Sequence, residues 1–371
     1  MRVLIAPDKF KGSLSALSVA NNIAIGFQEI SPDAEIELAP IADGGEGTVE
    51  VINVGRGGEW VSCAAHDALG NEITARYVWI KDDATAVMEM SEAAGARHLV
   101  HARPQPLRAN TFGVGEMLRN AAEYGAREII LGLGGSMTND GGSGLARALG
   151  FQFFAGDDEL KNGPAELEKL TRIVPPSCLS LPAIIAAVDV RNPLLGERGA
   201  TRVFGPQKGV RPDQVPILES ALKRLADTVA RDMRCDFRDE PGAGAAGGLG
   251  FGLMSFCAAH IRSGFSVVAE AIRLEEKIGR ADIVITGEGR LDWQTLEGKG
   301  PAGVAKLARE HGKAVYAIVG QADHSSSFSD CFDGLYELAR PPISEAEAIK
   351  FAAELLRQRA RELASAVAAR R

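Results

Sequence analysis

Hydrophobic positions along the chain follow two alternating periods. Arg2-Val3-Leu4-Ile5-Ala6 is a short apolar run closed by Pro7-Asp8, and beyond Lys11-Gly12-Ser13 the residues Val19, Ile23, Phe27 and Ile30 recur at helical spacing. This pattern predicts strand, loop, helix. Glu35-Ile36-Glu37-Leu38-Ala39 alternates as a strand does and runs into Asp43-Gly44-Gly45-Glu46-Gly47-Thr48 before another apolar helical stretch. Comparable runs occur at Glu128–Leu131, Ile184–Val188, Asp282–Thr286 and Ala314–Val319, with helical patterns at Leu145–Leu149 and Ala302–Glu310. A last helix is predicted from Ser344, where Ser344-Glu345-Ala346-Glu347 has the form of a capping box after Pro341-Pro342. Alternating strands and helices imply an α/β fold whose parallel sheets are covered on both faces.

The 371 residues, 46% of them hydrophobic, suffice for two domains. A net charge of −8, with both signs mixed along the chain, offers no basic face for nucleic acid and favours a small-molecule partner. The N-terminal apolar run is too short for a signal peptide and no stretch is long enough to span a bilayer, so a cytoplasmic, membrane-free protein is expected. The cysteines are odd in number, widely spaced and never in a Cys-x-x-Cys pair, which argues against both a disulfide framework and a zinc site.

Chemistry is expected at the strand ends, where glycine and charged residues accumulate. Glycine lets a backbone N–H approach a phosphate, and the following helix N-terminus adds a favourable dipole. A single such turn more often serves only as a tight connection; several turns carrying polar residues favour phosphate binding. Neither a P-loop nor a strand-linked dinucleotide fingerprint is present. Gly242-Ala243-Gly244-Ala245-Ala246-Gly247 has the dinucleotide spacing but follows Arg238-Asp239-Glu240-Pro241, which is no strand. Asp43, Asp140, Asp189, Glu288 and Asp292 are acids beside glycines or at strand ends, and Lys11, Arg191, Lys208, Arg290 and Lys299 are the matching cations. Each acid alone suits a turn or cap as well as Mg²⁺ or hydroxyl activation; their co-occurrence points to phosphoryl transfer. An NAD-dependent oxidoreductase would explain the glycines but needs an acidic ribose partner and a histidine or lysine poised for proton transfer; Lys11 is present but no such histidine is evident. A non-enzymatic sugar-acid sensor would have less use for so many acids grouped with glycines.

Seven blocks, in order, resemble the bacterial glycerate kinases of the glyoxylate and galactarate pathways. They are residues 6–16, 42–48, 131–142, 189–194, 203–209, 241–250 and 285–292, among them Pro7-Asp8-Lys9-Phe10-Lys11-Gly12-Ser13 and Gly134-Gly135-Ser136-Met137-Thr138-Asn139-Asp140-Gly141-Gly142. Lys9 stands where a serine is common, Met137 where an alanine is common, and Trp293 where a smaller residue is expected. The resemblance implies a Rossmann-like domain built from residues 1–62 and 282–371, an inserted α/β domain over 63–281, and an active site in the cleft. It implies ATP and Mg²⁺ as cofactors and D-glycerate as substrate, phosphorylated at the 2-hydroxyl, with 3-phosphoglycerate as the alternative product; a homo-oligomer stays open. Within that family reading, Gly134, Gly135, Ser136, Thr138 and Asn139 form the phosphate cradle, with Gly244 and Gly247 as a second approach surface. Arg191 would take the glycerate carboxylate, and Arg290, Lys208 and Lys11 would lie toward the phosphates. Asp189 is the candidate base, and Asp292 with Glu288 the candidate Mg²⁺ ligands; which acid takes which role stays open.

Overall fold

The computed structural model describes residues 1–99, 104–291, 300–323 and 331–369. The chain divides into two compact units: Met1–Asp43, Glu50–Gly57 and Phe265–Arg371 form one, and Gly44–Val49 with Gly58–Gly264 form the other. Both ends of the chain thus build the first unit, and the second is inserted between them.

The first unit holds an all-parallel five-stranded sheet. Numbered by their place in the chain, Arg2–Ile5, Glu35–Leu38, Ile283–Thr286, Ala314–Val319 and Gly334–Glu337 lie in the order 2-1-3-4-5. That is the order of a doubly wound sheet whose connections reverse direction between the first and third strands. The helices Ala16–Ile30 and Ala352–Ala369 pack against each other and share one core with the sheet, formed by Val19, Ile23, Phe27, Leu356, Leu363 and their neighbours. Only a glycine fits at 26, since a Cβ there would meet the Arg357 carbonyl oxygen at 2.2 Å. Val19, Ile23 and Phe27 are buried as their spacing requires, whereas Ile30, in the last turn, is 42% exposed. Ser344 and Glu347 make the capping box. The single helix expected after it is two, Glu345–Lys350 and Ala352–Ala369, separated at Phe351.

In the second unit the sheet has six strands in the order His260–Arg262, Ala183–Ala187, Glu128–Gly132, Thr85–Glu89, Glu72–Ile80, Glu59–His66. The first four are mutually parallel. The last two are antiparallel, so the purely parallel sheet expected from the alternation is corrected here to a mixed one. The cause is local. Asp67 accepts the backbone N–H groups of Leu69 (2.8 Å) and Asn71 (3.0 Å), and Gly70 takes φ +90°, closing a tight hairpin where a crossover helix would otherwise be needed.

Candidate functional site

The sequence-predicted residues fall into two sets, one in each unit. In the second unit, the parallel strands Thr85–Glu89, Glu128–Gly132 and Ala183–Ala187 end side by side, and the loops that follow them converge. A Cβ at Gly44 would lie 2.8 Å from the Ala187 carbonyl oxygen, and one at Gly134 would lie 2.4 Å from Gly45 Cα. This is the carboxyl edge at which open α/β sheets hold their ligands.

The loop from Leu133 to Gly142 is fixed from beneath by Asp140, which is fully buried. Its Oδ2 accepts Thr111 N–H (2.9 Å), the Thr111 hydroxyl (2.8 Å) and Gly144 N–H (2.9 Å), while Oδ1 accepts Gly142 N–H (3.2 Å). Asp140 is therefore an anchor of this loop, with its oxygens committed to backbone and hydroxyl donors. The segment Ala246-Gly247-Gly248, all at positive φ, closes over the loop. A Cβ at Gly247 would lie 2.0 Å from the Thr138 carbonyl oxygen, and one at Gly244 2.3 Å from that of Pro193. Backbone-to-backbone packing therefore accounts for the glycines at 244 and 247.

Lys208 enters the same loop. It is 3% exposed, and its Nζ donates to Ser136 Oγ (2.6 Å) and the Thr138 carbonyl oxygen (2.8 Å), leaving the third ammonium hydrogen. Burial pushes its pKa down to about 7, opposed by the negative charge of Asp140. Asn139 donates from Nδ2 to Thr201 Oγ1 (2.9 Å). Thr138 Oγ1 and Asn139 Oδ1 are buried and meet no hydrogen-bond partner among the described residues. The backbone N–H groups of Gly134, Gly135, Thr138 and Asn139 likewise donate to no acceptor among the described residues. Gly134 and Gly135 are not buried, but at Thr138 and Asn139 the unmet groups lie in the interior, where such groups are rare, on the loop that Lys208 enters. The arrangement is suited to a multiply charged oxyanion.

Asp189 follows the strand Ala183–Ala187, is half-buried, and accepts the Gly264 N–H on Oδ1 at 3.0 Å. Arg191, two residues on, is exposed. The loop carrying both is tied to the glycine segment through Gly244 N–H to the Asn192 carbonyl (2.9 Å).

The sequence reading passed over Glu89, the last residue of its strand, 5% exposed. It accepts Gly47 N–H (2.9 Å) and Val49 N–H (3.1 Å) on Oε1 and the Ser91 hydroxyl (3.3 Å) on Oε2. Burial raises its pKa despite these bonds. A carboxylate closing an apolar strand was the available signal, the same one that picked out Asp189.

In the first unit, Lys11, Glu288 and Arg290 follow the adjacent strands Arg2–Ile5 and Ile283–Thr286, at the reversal point of the strand order. Asp8 N–H donates to the Gly287 carbonyl (2.7 Å) and Asp8 Oδ1 accepts Lys9 N–H (2.6 Å). The backbones of Lys11 and Gly289 are in contact, 3.2 Å separating Lys11 N from a Cβ built at Gly289. Lys11 and Arg290 are exposed, Glu288 is half-buried and Asp8 is buried. Arg290 pairs with Asp323 at 3.3 Å. Asp292, Trp293 and Lys299 lie outside the described residues.

The model of the glycerate kinase family matches residues 3–368. A glycerate kinase of Bacillus subtilis (strain 168) is 38% identical, the match covering 99% of this chain and 98% of that protein. The glycerate 2-kinase of Escherichia coli (strain K12) is 42% identical over 86% of this chain and 85% of its own. A crystal structure described as a glycerate kinase 2 from Salmonella typhimurium LT2 superposes with a TM-score of 0.87 at 41% identity, covering 100% of this chain and 98% of that one.

Proposed function

Because the chain belongs to the glycerate kinase family, we propose that it transfers the γ-phosphoryl group of ATP to the 2-hydroxyl of D-glycerate, giving 2-phospho-D-glycerate. The observation that carries the phosphate half of this reading is the loop around Lys208. A buried cation, backbone N–H groups without a protein acceptor among the described residues and the orphaned Thr138 hydroxyl occupy a segment where a phosphate would complete their hydrogen bonding.

In this reading the N–H groups of residues 134–139 receive phosphate oxygens, and Lys208 supplies a point charge through its remaining N–H. Phosphoryl transfer asks little covalent chemistry of a protein; positioning and charge neutralisation provide most of the rate. Asp189 accepts the proton of the attacking hydroxyl, its carboxylate oriented by the Gly264 N–H. Arg191, exposed at the end of the same loop, clamps the substrate carboxylate through two parallel N–H bonds. Glu89 is a positioning residue, holding the Gly44–Val49 turn through two backbone N–H groups.

Mg²⁺ fits the donors present. In phosphoryl-transfer sites it is held by one or two carboxylates together with the nucleotide's own phosphates, and no group of three or more His, Cys, Asp or Glu gathers among the described residues. Asp8 and Glu288, on neighbouring strand ends of the first unit, would hold it. When bound, the ion would supply positive charge against a nucleotide's phosphates.

The test is ADP release from the purified protein with D-glycerate, ATP and Mg²⁺, each omitted in turn. Turnover that requires all three supports the reading. ADP release indifferent to glycerate would sink it.

A further inference from the structure

The second unit contains a cavity of about 540 Å³ that none of the residues assigned above lines. Its walls come from separate elements: His66 at the end of the strand Glu59–His66, Phe112 at the start of the helix Phe112–Tyr124, Arg147 on the helix Ser143–Ala148, Phe151 just beyond it, and Glu159 with Lys161. Phe151 is buried and stacks edge-to-face on Phe256 at 5.1 Å, so one wall is apolar and rigid.

The cavity carries charged groups of both signs. Lys161 pairs with Glu159 at 3.1 Å, and the His66 ring is held by Glu116 at 3.0 Å. Arg147 makes no direct ion pair of this kind. It is half-buried, it donates from Nη1 to the Lys161 backbone carbonyl, and no carboxylate pairs with it among the described residues. Burial lowers its pKa, opposed in part by the more distant negative charges of Asp140, Glu166 and Glu159. A desolvated arginine with a planar fork of donors is the usual means of recognising a carboxylate or phosphate. An aromatic wall beside it suits an apolar body, and the volume falls within the range of small-molecule sites, about 300–1,000 Å³.

The geometry points to a second ligand site, in which Arg147 receives the oxyanion of a small molecule whose apolar or aromatic body packs between Phe112 and Phe151. An occupant would lie against the supports of the phosphate loop: Arg147 is on the helix whose Gly144 N–H donates to Asp140, and Phe112 follows Thr111, which donates to Asp140 twice.

The experiment is calorimetric titration of the whole protein with benzoate, phenyl phosphate and inorganic phosphate. A non-hydrolysable ATP analogue and D-glycerate are kept saturating, so that the sites proposed above are filled. Failure of the kinase reading would show in turnover, and failure of this one shows in binding. Benzoate or phenyl phosphate should bind, whichever is tighter identifying the oxyanion as carboxylate or phosphoryl, and inorganic phosphate should bind at least tenfold more weakly. Arg147→Met should weaken the better probe at least tenfold. Gln152→Trp, which fills the exposed mouth and leaves Arg147 in place, should do the same should the first variant fail to fold. No heat with either aromatic probe, binding that neither variant weakens, or inorganic phosphate binding as tightly as the aromatic probes would each overturn the proposal.

Discussion

Lys208 Nζ donates to Ser136 Oγ at 2.6 Å, which inserts a buried cation into a loop formed 72 residues earlier in the chain. With the bond to the Thr138 carbonyl at 2.8 Å, it holds the loop open at the end where backbone N–H groups lack acceptors. Burial has brought the ammonium to about 7, so the charge is only half-present at neutral pH until an anion arrives. A bound phosphate favours the charged form and restores it.

Nucleotide binding at pH 8 should therefore take up a proton at Lys208. Calorimetry of an ATP analogue in buffers of differing ionisation enthalpy should show that uptake in the wild-type protein and its loss in Lys208→Met. The variant should also lose roughly 10²-fold or more in kcat/KM, because a charge present in the transition state is gone. Proton uptake that persists in Lys208→Met would assign it to another group.

The same residue makes a stability prediction of definite sign. Folded Lys208 titrates near 7 and an unfolded lysine near 10.5, so between those values the unfolded chain binds the extra proton. Stability contributed by this position therefore rises with pH across that window, the penalty being full below it. The difference in urea midpoint between wild type and Lys208→Met should narrow or change sign in favour of the wild type from pH 6.5 to 9.5. A pH-independent difference would show that the amine is not buried as charge.

Asp140 separates structure from chemistry. Asp140→Ala removes the acceptor of three backbone N–H groups and one hydroxyl in a buried setting, and should cost about 3 kcal/mol or more of stability by urea denaturation, from the unmet donors. Asp189→Asn keeps an acceptor for the Gly264 N–H, so its melting temperature should stay near the wild-type value. Its kcat should fall roughly 10²-fold or more with KM little changed, the pattern of a lost base. Near-normal kcat in Asp189→Asn would remove it from that role.

These contrasts show where the sequence was legible. Periodicity located most of the parallel strands, since Val3, Leu4, Ile5 and Val284, Ile285 lie in runs buried on both faces, but not Thr85–Glu89, His260–Arg262 or Gly334–Glu337. It missed the hairpin Glu59–Ile80 because the cue is one turn, Asp67 to Asn71, whose geometry depends on side-chain bonds. Glycine counting found the loop at 134–142, but could not tell glycines that meet a ligand from those that meet backbone. Both Gly247 and Gly135 take φ +72°, but a Cβ at Gly247 would lie 2.0 Å from the Thr138 carbonyl oxygen, whereas one at Gly135 would meet only the Ser91 side chain, Cβ at 3.2 Å and Oγ at 3.8 Å. The difference between Asp140 as anchor and Asp189 as candidate base was likewise unreadable, because both are acids beside the same kind of loop. Glu89 was missed because the short run Thr85–Met88 before it was not read as a strand.

The position phosphorylated follows from how the substrate is held. A carboxylate gripped by the two parallel N–H donors of Arg191 fixes its own plane, and with it the neighbouring C2 carbon. The C3 hydroxyl lies one rotatable bond further and would need to be ordered separately, at a cost of about 0.5–1 kcal/mol or more. On the proposed roles, the base Asp189 lies two residues from the clamp Arg191 on one loop, so both would address one end of the substrate. The expected product is therefore 2-phospho-D-glycerate, in keeping with the name glycerate 2-kinase of the Escherichia coli relative. Enolase acts directly on the 2-phospho isomer only. The protein is to be run with ATP, Mg²⁺ and D-glycerate, with enolase as the sole coupling enzyme, and phosphoenolpyruvate should form without a lag. Arg191→Lys, which keeps the charge but loses the bidentate fork, should raise KM for glycerate about tenfold or more and allow some 3-phosphoglycerate to form. Should phosphoenolpyruvate from the wild-type protein appear only once phosphoglycerate mutase is added, the acceptor is the C3 hydroxyl and the substrate is held in the reverse orientation.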